Sequence, residues 1–396
     1  MQIYADNAAT TRLSDTALSA MLPYMQGEYG NPSSLHSVGQ RAQEALTDAR
    51  TRIAQRLGCQ PTEVIFTSGG SEADNQAIRS AAAFGKMKGK THIISTAFEH
   101  HAVLHTLEAL EKEGFTVTLL DVHEDGMVSA SQVEEAITEQ TCLVTIMYAN
   151  NEIGTVQPIP EIGEVCRRHG VVFHTDAVQA VGHLPVNVAE QNIDLLSLSA
   201  HKFHGPKGIG VLYARKGVPV FPLIHGGAQE LGRRGGTENI PAIVGMAAAL
   251  DEACDHLEED TAKLTALRER LIAGLSNIPH SILNGHREHR LPGTVNFCFE
   301  GIEGESLLLL LDDKGVYASS GSACTSGSLD PSHVLLAIGR PHEIAHGSLR
   351  LSLSPDTTEE EVDYMIEAVT DVVAYLRSIS PVWRNLEAGI QEFIIQ

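Results

Sequence analysis

The chain of 396 residues predicts an α/β fold: a large domain built on a mostly parallel sheet with helices on both faces, and a smaller α+β domain. Three observations predict it. Short β-branched runs alternate with helical patterns up to about residue 240, a long helical stretch then breaks that rhythm, and strand-like runs return at wider spacing towards the C-terminus.

Taken in order, EVIFTS (63–68) precedes the helical pattern of 71–89, THIIST (91–96) that of 101–114, TVTLLDV (116–122) that of 130–138, and TCLVTIMYA (141–149) that of 159–170. VVFHTDA (171–177), DLLSLSA (194–200) and GIGVLYA (208–214) complete the set. Near-continuous apolar runs of this kind suit strands covered on both faces. The stretch 240–275 reads as one long connecting helical element, followed by TVNFCFE (294–300), GESLLLLLDDKG (304–315), SLRLSLS (348–354) and a final helix over 357–379. Threonines ahead of Glu359, Glu360 and Glu361 read as a capped helix start whose acids complement the dipole. The expected boundaries are residues 13–255 for the large domain, with 1–12 and 256–396 forming the small one.

Composition narrows the function. An apolar content of 43% with 20% charged residues fits a folded globular protein. The 28 basic against 50 acidic residues give a formal charge of −22, which repels nucleic acid and anionic lipid. The opening MQIYADNAATT has no basic stretch followed by an apolar run, and no segment supplies roughly 18 uninterrupted apolar residues, so a cytoplasmic protein is expected. Cysteines 59, 142, 166, 254, 298 and 324 lie far apart with no Cys-x-x-Cys pair, which suggests neither a disulfide framework nor a zinc ribbon.

In an open α/β sheet, ligands bind at the carboxyl ends of strands. The first such end, FTSGGSEADN, places Gly69 and Gly70 in a turn ahead of a helix starting at Ser71, so free N–H groups and a positive dipole end point at one place. That suits a phosphate, and two glycines equally suit an ordinary tight turn. The second end carries Asp176, a carboxylate after an apolar strand, which needs a ligand or a helix to cap. The third carries Lys202 between His201 and His204, after Ser199 and before GPKG. A lysine there either lies along apolar surface with its ammonium in water or acts as a desolvated amine able to attack an aldehyde. An acid for a pyridinium nitrogen, a phosphate cradle and a Schiff-base lysine are what pyridoxal phosphate asks of a protein.

The sequence resembles the cysteine desulfurases of the aminotransferase class V family, nitrogen-fixation (NifS-like) branch. The resemblance runs nearly end to end, through YADNAATTRL, GNPSSLHSVG, FTSGGSEADN, ANNEIGTVQPI, FHTDAVQAVG, SAHKFHGPKGIGVLY, GRRGGTENI, LPGTVNF, ASSGSACTSGSLDPSHVL and AHGSLRLSLSPDTT. It implies the fold of type I pyridoxal-phosphate-dependent transferases and pyridoxal 5′-phosphate as cofactor. It also implies that Lys202 forms the Schiff base, Asp176 pairs with the ring nitrogen, and His100 stacks on the ring. Asn151 and Gln179 match positions on the ring-hydroxyl side; Gly70, Ser71, Ser199 and His201 match phosphate-binding positions. Thr237 matches a threonine that reaches the partner subunit's phosphate, which implies a homodimer with shared sites. Two departures stand out: Ser71 where the family usually has threonine, and His101 where proline or lysine is commoner. His100, His101 and His105 have no cysteine or carboxylate at metal-site spacing, and no metal is expected.

Cys324 lies in SSGSACTSGS, a small, polar loop, whereas the other five cysteines sit in or beside helix or strand patterns and read as inert. The resemblance makes Cys324 the catalytic thiol, carried on the small domain. L-cysteine would displace Lys202, Arg350 would hold its carboxylate with Asn31 at the same end, and Lys202 would then move the Cα proton. The Cys324 thiolate would attack the substrate sulfur, giving a persulfide and L-alanine, with His100 a candidate for lowering the thiol's pKa. The sulfur would pass to an iron–sulfur scaffold protein, for nitrogenase maturation or for general cluster assembly. A selenocysteine lyase or transaminase on the same fold, or a protein that merely presents sulfur or iron, are the alternative readings.

Overall fold

A computed structural model of the chain describes residues 1–320 and 331–395. Its strands are β1 (Ile3–Tyr4), β2 (Val64–Thr67), β3 (His92–Thr96), β4 (Thr116–Leu120), β5 (Thr141–Thr145), β6 (Val172–Asp176), β7 (Leu195–Ser199), β8 (Gly210–Ala214), β9 (Ser281–Leu283), β10 (Thr294–Phe299), β11 (Val316–Tyr317) and β12 (Ser348–Ser352). Seven of them form one sheet in the order β2-β8-β7-β6-β5-β3-β4.

Within that sheet β4, β3, β5, β6 and β7 pair in parallel, while β8 runs antiparallel to both β7 and β2. Two antiparallel steps restore direction, so β2 runs the same way as β7. The carboxyl ends of β2, β3, β5, β6 and β7 therefore meet along one edge, joined there by the first residue of β8. Strand order reverses between β3 and β5, since β4 lies outside β3 while β6 and β7 continue beyond β5, and a crevice opens at that reversal. Strands β2, β3, β5, β7 and β8 are buried at every residue, as their continuous apolar sequences require.

The expected single element over 240–275 is two helices, Ile240–Asp255 and Leu257–Leu275, divided at His256. The break has a local reason: Glu258, Glu259 and Asp260 crowd the first turn of the second helix, where a dipole favours them and a helix interior would not. The first of these helices packs with Asp15–Gln26 and Ser37–Leu57 on the large sheet, and its residues Ile243, Met246, Ala247 and Leu250 are fully buried in that core.

A second apolar core is built around the antiparallel strands β9-β10-β12 and the helices Leu257–Leu275, Gly304–Asp313 and Glu359–Ile379. The chain's start belongs to it. Ile3 and Ala5 are buried there, β1 pairs in parallel with β11, and Ser352 N–H donates to Ala5 O at 2.7 Å. The helix over 359–379 opens on the expected capping box, with Glu361 N–H donating to Thr358 Oγ1 and Thr358 N–H donating to the Glu361 carboxylate.

Gly210, the first residue of β8, shows how tightly the sheet edge is drawn together. A Cβ there would lie 2.5 Å from Leu198 O and 2.8 Å from Gly69 Cα, both backbone atoms that cannot swing away. Gly210→Ala is expected to destabilise the protein by about 1–3 kcal/mol, in the range of overpacked cores, and to disturb the Gly69 turn; denaturant unfolding measures it, and an unchanged midpoint contradicts the tight approach.

Candidate active site

The crevice holds a cavity of about 320 Å³. Two roomier hollows, about 410 and 660 Å³, lie beside His183 and His204 and under the C-terminal segment, away from the polar strand ends. Each strand end contributes side chains to the smaller cavity. After β2 come Gly70, Ser71 and Asp74; after β3, His100; after β5, Met147 and Asn151; from β6 and its turn, Asp176 and Gln179; from β7 and its turn, Ser199, His201 and Lys202. Arg350 enters from β12, and Ala8 and Ala9 from the N-terminal segment.

The turn after β2 is built for an anion. Gly69 has φ 153° and ψ −177°, a conformation open essentially only to glycine, and it caps the 18-residue helix Gly70–Met87. A Cβ on Gly70 would lie 2.7 Å from Val178 Cγ2, so a larger residue there would have to displace the Val178 side chain. Glu72, in the helix's first turn, accepts from Ser68 N at 2.8 Å and Arg234 Nε at 2.9 Å. Burial works against its charge, and the hydrogen bonds from Arg234 and Ser68 more than offset that, leaving it an anion turned towards Arg234. Across the turn, His201 Nδ1 meets Thr10 Oγ1 at 3.1 Å, and burial, with Lys202 and Lys207 adding to it, pushes the His201 pKa down to about 4. His201 is therefore neutral at physiological pH and can donate one N–H.

Lys202 Nζ donates to the carbonyls of Ala8 at 2.6 Å and Ala9 at 2.8 Å, which ties the amine to the N-terminal segment. His183 Nε2 donates to the Lys202 carbonyl at 2.9 Å from behind. Asp176 Oδ1 accepts from Val178 N at 3.0 Å. Burial raises the Asp176 pKa, opposed by the nearby His100, the Val178 N–H and Lys202. His100 caps its helix, accepting from Ala102 N at Nδ1. Burial holds its pKa below the usual histidine value; the Asp176 charge opposes this, while Lys202, His101 and His333 push the same way as burial.

Asp74, His100 and Asp176 each bring one ligand-type atom within 4.8 Å of the others, as a metal site would. The geometry speaks against a cation: Nδ1 of His100 is occupied by Ala102 N–H, so in the neutral ring Nε2 carries the proton and has no lone pair to offer. Arg350, 2% exposed, donates to Asn151 O at 2.9 Å and to Asp6 Oδ1 at 2.7 Å, with its fork at the cavity wall.

Asn31 and Thr237 do not line this cavity, and both are exposed. Asn31 Oδ1 accepts from Ser33 N. The segment bearing Thr237 is anchored to the large core by the pairs Arg234–Glu72 and Arg50–Glu230. Cys324 lies outside the described residues. On either side of it, Ser319 pairs with Arg350 across the backbone, Ser348 Oγ donates to Ser320 O at 3.0 Å, and His333 Nε2 donates to Glu99 O at 2.9 Å. Sequence reasoning missed Asp6, Asp74, Glu99 and His174, whose importance depends on contacts between distant segments.

The aminotransferase class V model matches residues 3–365. The chain belongs to the aminotransferase class V family. This family member is 55% identical over 379 residues to "Cysteine desulfurase IscS" of Methanosarcina thermophila, covering 96% of this chain and 94% of that one. It is 53% identical over 394 residues to the protein of the same name from Clostridium botulinum, covering 99% of both. Among solved structures it is similar to a "NifS-like protein", with TM-score 0.89, 40% identity and coverage of 95% and 100%. It is also similar to "SspA in complex with cysteine", with TM-score 0.79, 41% identity and coverage of 90% and 99%. The fold is that of type I pyridoxal-phosphate enzymes, and pyridoxal phosphate is the family's cofactor. The cavity fits it: an amine and a carboxylate both line a space sized for one small ligand, beside a turn whose Gly69 conformation only glycine adopts.

Glu99 yields a pH prediction. It is fully buried, accepting from Thr96 Oγ1 at 2.7 Å and Met147 N at 3.0 Å, with Oε2 lacking a hydrogen-bond partner. Burial pushes its pKa up to about 8. The folded state then holds a proton that the unfolded state gives up above the ordinary carboxylate value, so Glu99 costs stability progressively as pH rises towards about 8. Glu99→Gln is expected to flatten this fall in thermal unfolding across that window; an unchanged slope contradicts a protonated Glu99.

Asp6 yields the second. Asp6→Asn weakens the charged hydrogen bond to buried Arg350 and is expected to cost about 1.5–3 kcal/mol, read by denaturant unfolding; no loss contradicts the pairing.

Proposed function

We propose that this chain is a pyridoxal-phosphate-dependent cysteine desulfurase that converts L-cysteine to L-alanine and leaves the sulfur as a persulfide on Cys324. The observation that carries the reading is the meeting of Lys202, Asp176, His100 and the Gly69–Gly70 turn in one cavity, with Arg350 at its wall. Residues 13–255 form the cofactor-binding domain in this reading, and 1–12 with 256–396 the small domain that brings Cys324 and Arg350.

When bound, pyridoxal phosphate supplies an electron sink for the bonds at the substrate's Cα. The protein does the rest. The helix start at Gly70 and Ser71, with Ser199 and neutral His201, would donate hydrogen bonds to the phosphate. Asp176 would pair as an anion with the ring nitrogen, His100 would stack on the ring, and Asn151 and Gln179 would contact its hydroxyl side. The Arg350 guanidinium takes the substrate carboxylate, oriented by Asp6 and the Asn151 carbonyl, with Asn31 assisting. Lys202 Nζ, released from the Ala8 and Ala9 carbonyls, moves the Cα proton. The Cys324 thiolate attacks the substrate sulfur: the S–S bond forms, the C–S bond breaks, and its electron pair stays with carbon, which takes a proton on the way to alanine. The Ser319–Arg350 and His333–Glu99 contacts support this, because the chain leaves for Cys324 and returns from it beside the cavity.

The sulfur is destined for an iron–sulfur scaffold protein in the cytoplasm, and nitrogenase maturation is its narrower form. A homodimer completes the site through Thr237. Leu231, 77% exposed and in the same segment, supports an apolar contact there. Among the described residues no helix is long and apolar enough to cross a membrane.

The test follows sulfide and alanine released from L-cysteine with reductant. Cys324→Ala is expected to keep the cofactor's visible absorbance and lose sulfide release by at least about two orders of magnitude, the scale of lost nucleophiles. Full sulfide release by Cys324→Ala, or alanine formation only with a keto-acid acceptor, contradicts the reading and leaves a different enzyme on the same fold.

A further inference from the structure

From Asp74 in the cavity lining, a polar network runs beneath the floor that the proposed reaction leaves without a task. Asp74, in the helix Gly70–Met87, has a side chain 2% exposed, and its Oδ1 has no hydrogen-bond partner. The nearest basic group is His174 Nε2, at 3.6 Å. His174 is wholly buried and spans two hydroxyls, Thr145 Oγ1 at 2.8 Å through Nδ1 and Ser197 Oγ at 3.0 Å through Nε2. Burial pushes its pKa down to about 3, so the ring beside Asp74 is neutral and brings no countercharge.

Asp176 is placed differently. It accepts the Val178 N–H, and both His100 and Lys202 favour its anion. Its carboxyl and that of Asp74 approach within 4.8 Å in a buried site, where two like charges repel strongly. A proton shared by such a pair settles on the group with fewer donors. Around Asp74 stand Asp176 and His174 from β6, Ser197 from β7, and Glu99 and His100 from the segment after β3, with Lys202 near Asp176. Glu99 keeps its own proton at neutral pH, so the anion that matters is Asp176. Burial, and after it the Asp176 charge, raise the Asp74 pKa well above the usual value, with the Ser197 hydrogen bond opposing.

We infer that Asp74 is a positioning residue: it keeps a proton at neutral pH, so that the two carboxyl groups carry one negative charge, and that charge stays on Asp176 at the cavity floor. The inference rests on the proposed function only for what Asp176 faces. Were that one proton to move from Asp74 to Asp176, the charge would leave the cavity floor and the ring nitrogen would lose its partner.

The test uses the full-length holoenzyme without substrate. Infrared difference spectra of wild type minus Asp74→Asn at neutral pH are expected to show a carboxylic-acid carbonyl band that shifts in D2O. Asp74→Asn, isosteric with the neutral acid, is expected to bind pyridoxal phosphate within about two-fold of wild type at neutral pH. No acid band in the difference, or an affinity loss of about ten-fold or more at neutral pH, overturns the inference. Should the variant fail to fold, wild type labelled with 13C at its aspartate carboxyls must still show an isotope-shifted acid band at neutral pH, and its absence overturns the inference equally. Because the band is read without cysteine, failure of the desulfurase reaction leaves this result untouched.

Discussion

Parallel pairing from β3 through β7 is the constraint on which the site depends. A parallel ladder sends every strand the same way and, covered by helices on both faces, brings its strand ends together along one edge. The double antiparallel step through β8 turns β2 back into register with them, so that the glycine turn after β2 opens on the same edge as Asp176 and Lys202. Chemistry here is a consequence of where the strands stop. The approach of Gly210 to Gly69 fixes that edge to within a van der Waals contact of backbone on backbone.

The second organising fact is how little charge the cavity carries for the number of ionisable groups around it. His174 and His201 are held neutral, Glu99 keeps its proton, and the Asp74–Asp176 pair has donors mainly on one side. The formal charge of −22 counts every acid as ionised, Asp74 and Glu99 included, and says nothing of this pocket. Inside, a few oriented donors decide which group is ionised, and a single extra negative charge would be costly. Lys202 is tied to Ala8 and Ala9, and Arg350 to Asp6, so both cations nearest the cavity are oriented by the N-terminal segment.

What could be read in the sequence followed from local grammar. Asp176 and Lys202 stand out because a charged residue directly after a buried strand is out of place by itself, and Gly69–Gly70 because a strand-to-helix turn limits its residues. The strand runs and the capped helix at Glu359 were legible for the same reason. Asp74 was not, since an aspartate at the fifth position of a polar helix start looks like any first-turn acid. Nor were Asp6, Ala8 and Ala9, whose contacts reach across 344, 194 and 193 positions of sequence. The division at His256 escaped because helical periodicity continues on both sides of it, and only the backbone shows the break.

The measurement that bears most directly on the account is borohydride reduction of the holoenzyme followed by peptide mass spectrometry. The account predicts the reduced cofactor fixed to the ε-nitrogen of Lys202, in the peptide that follows β7, with no other lysine labelled. Label on a different lysine, or a cofactor that washes away unreduced, would contradict the assignment of this sheet edge as the place where the chemistry happens.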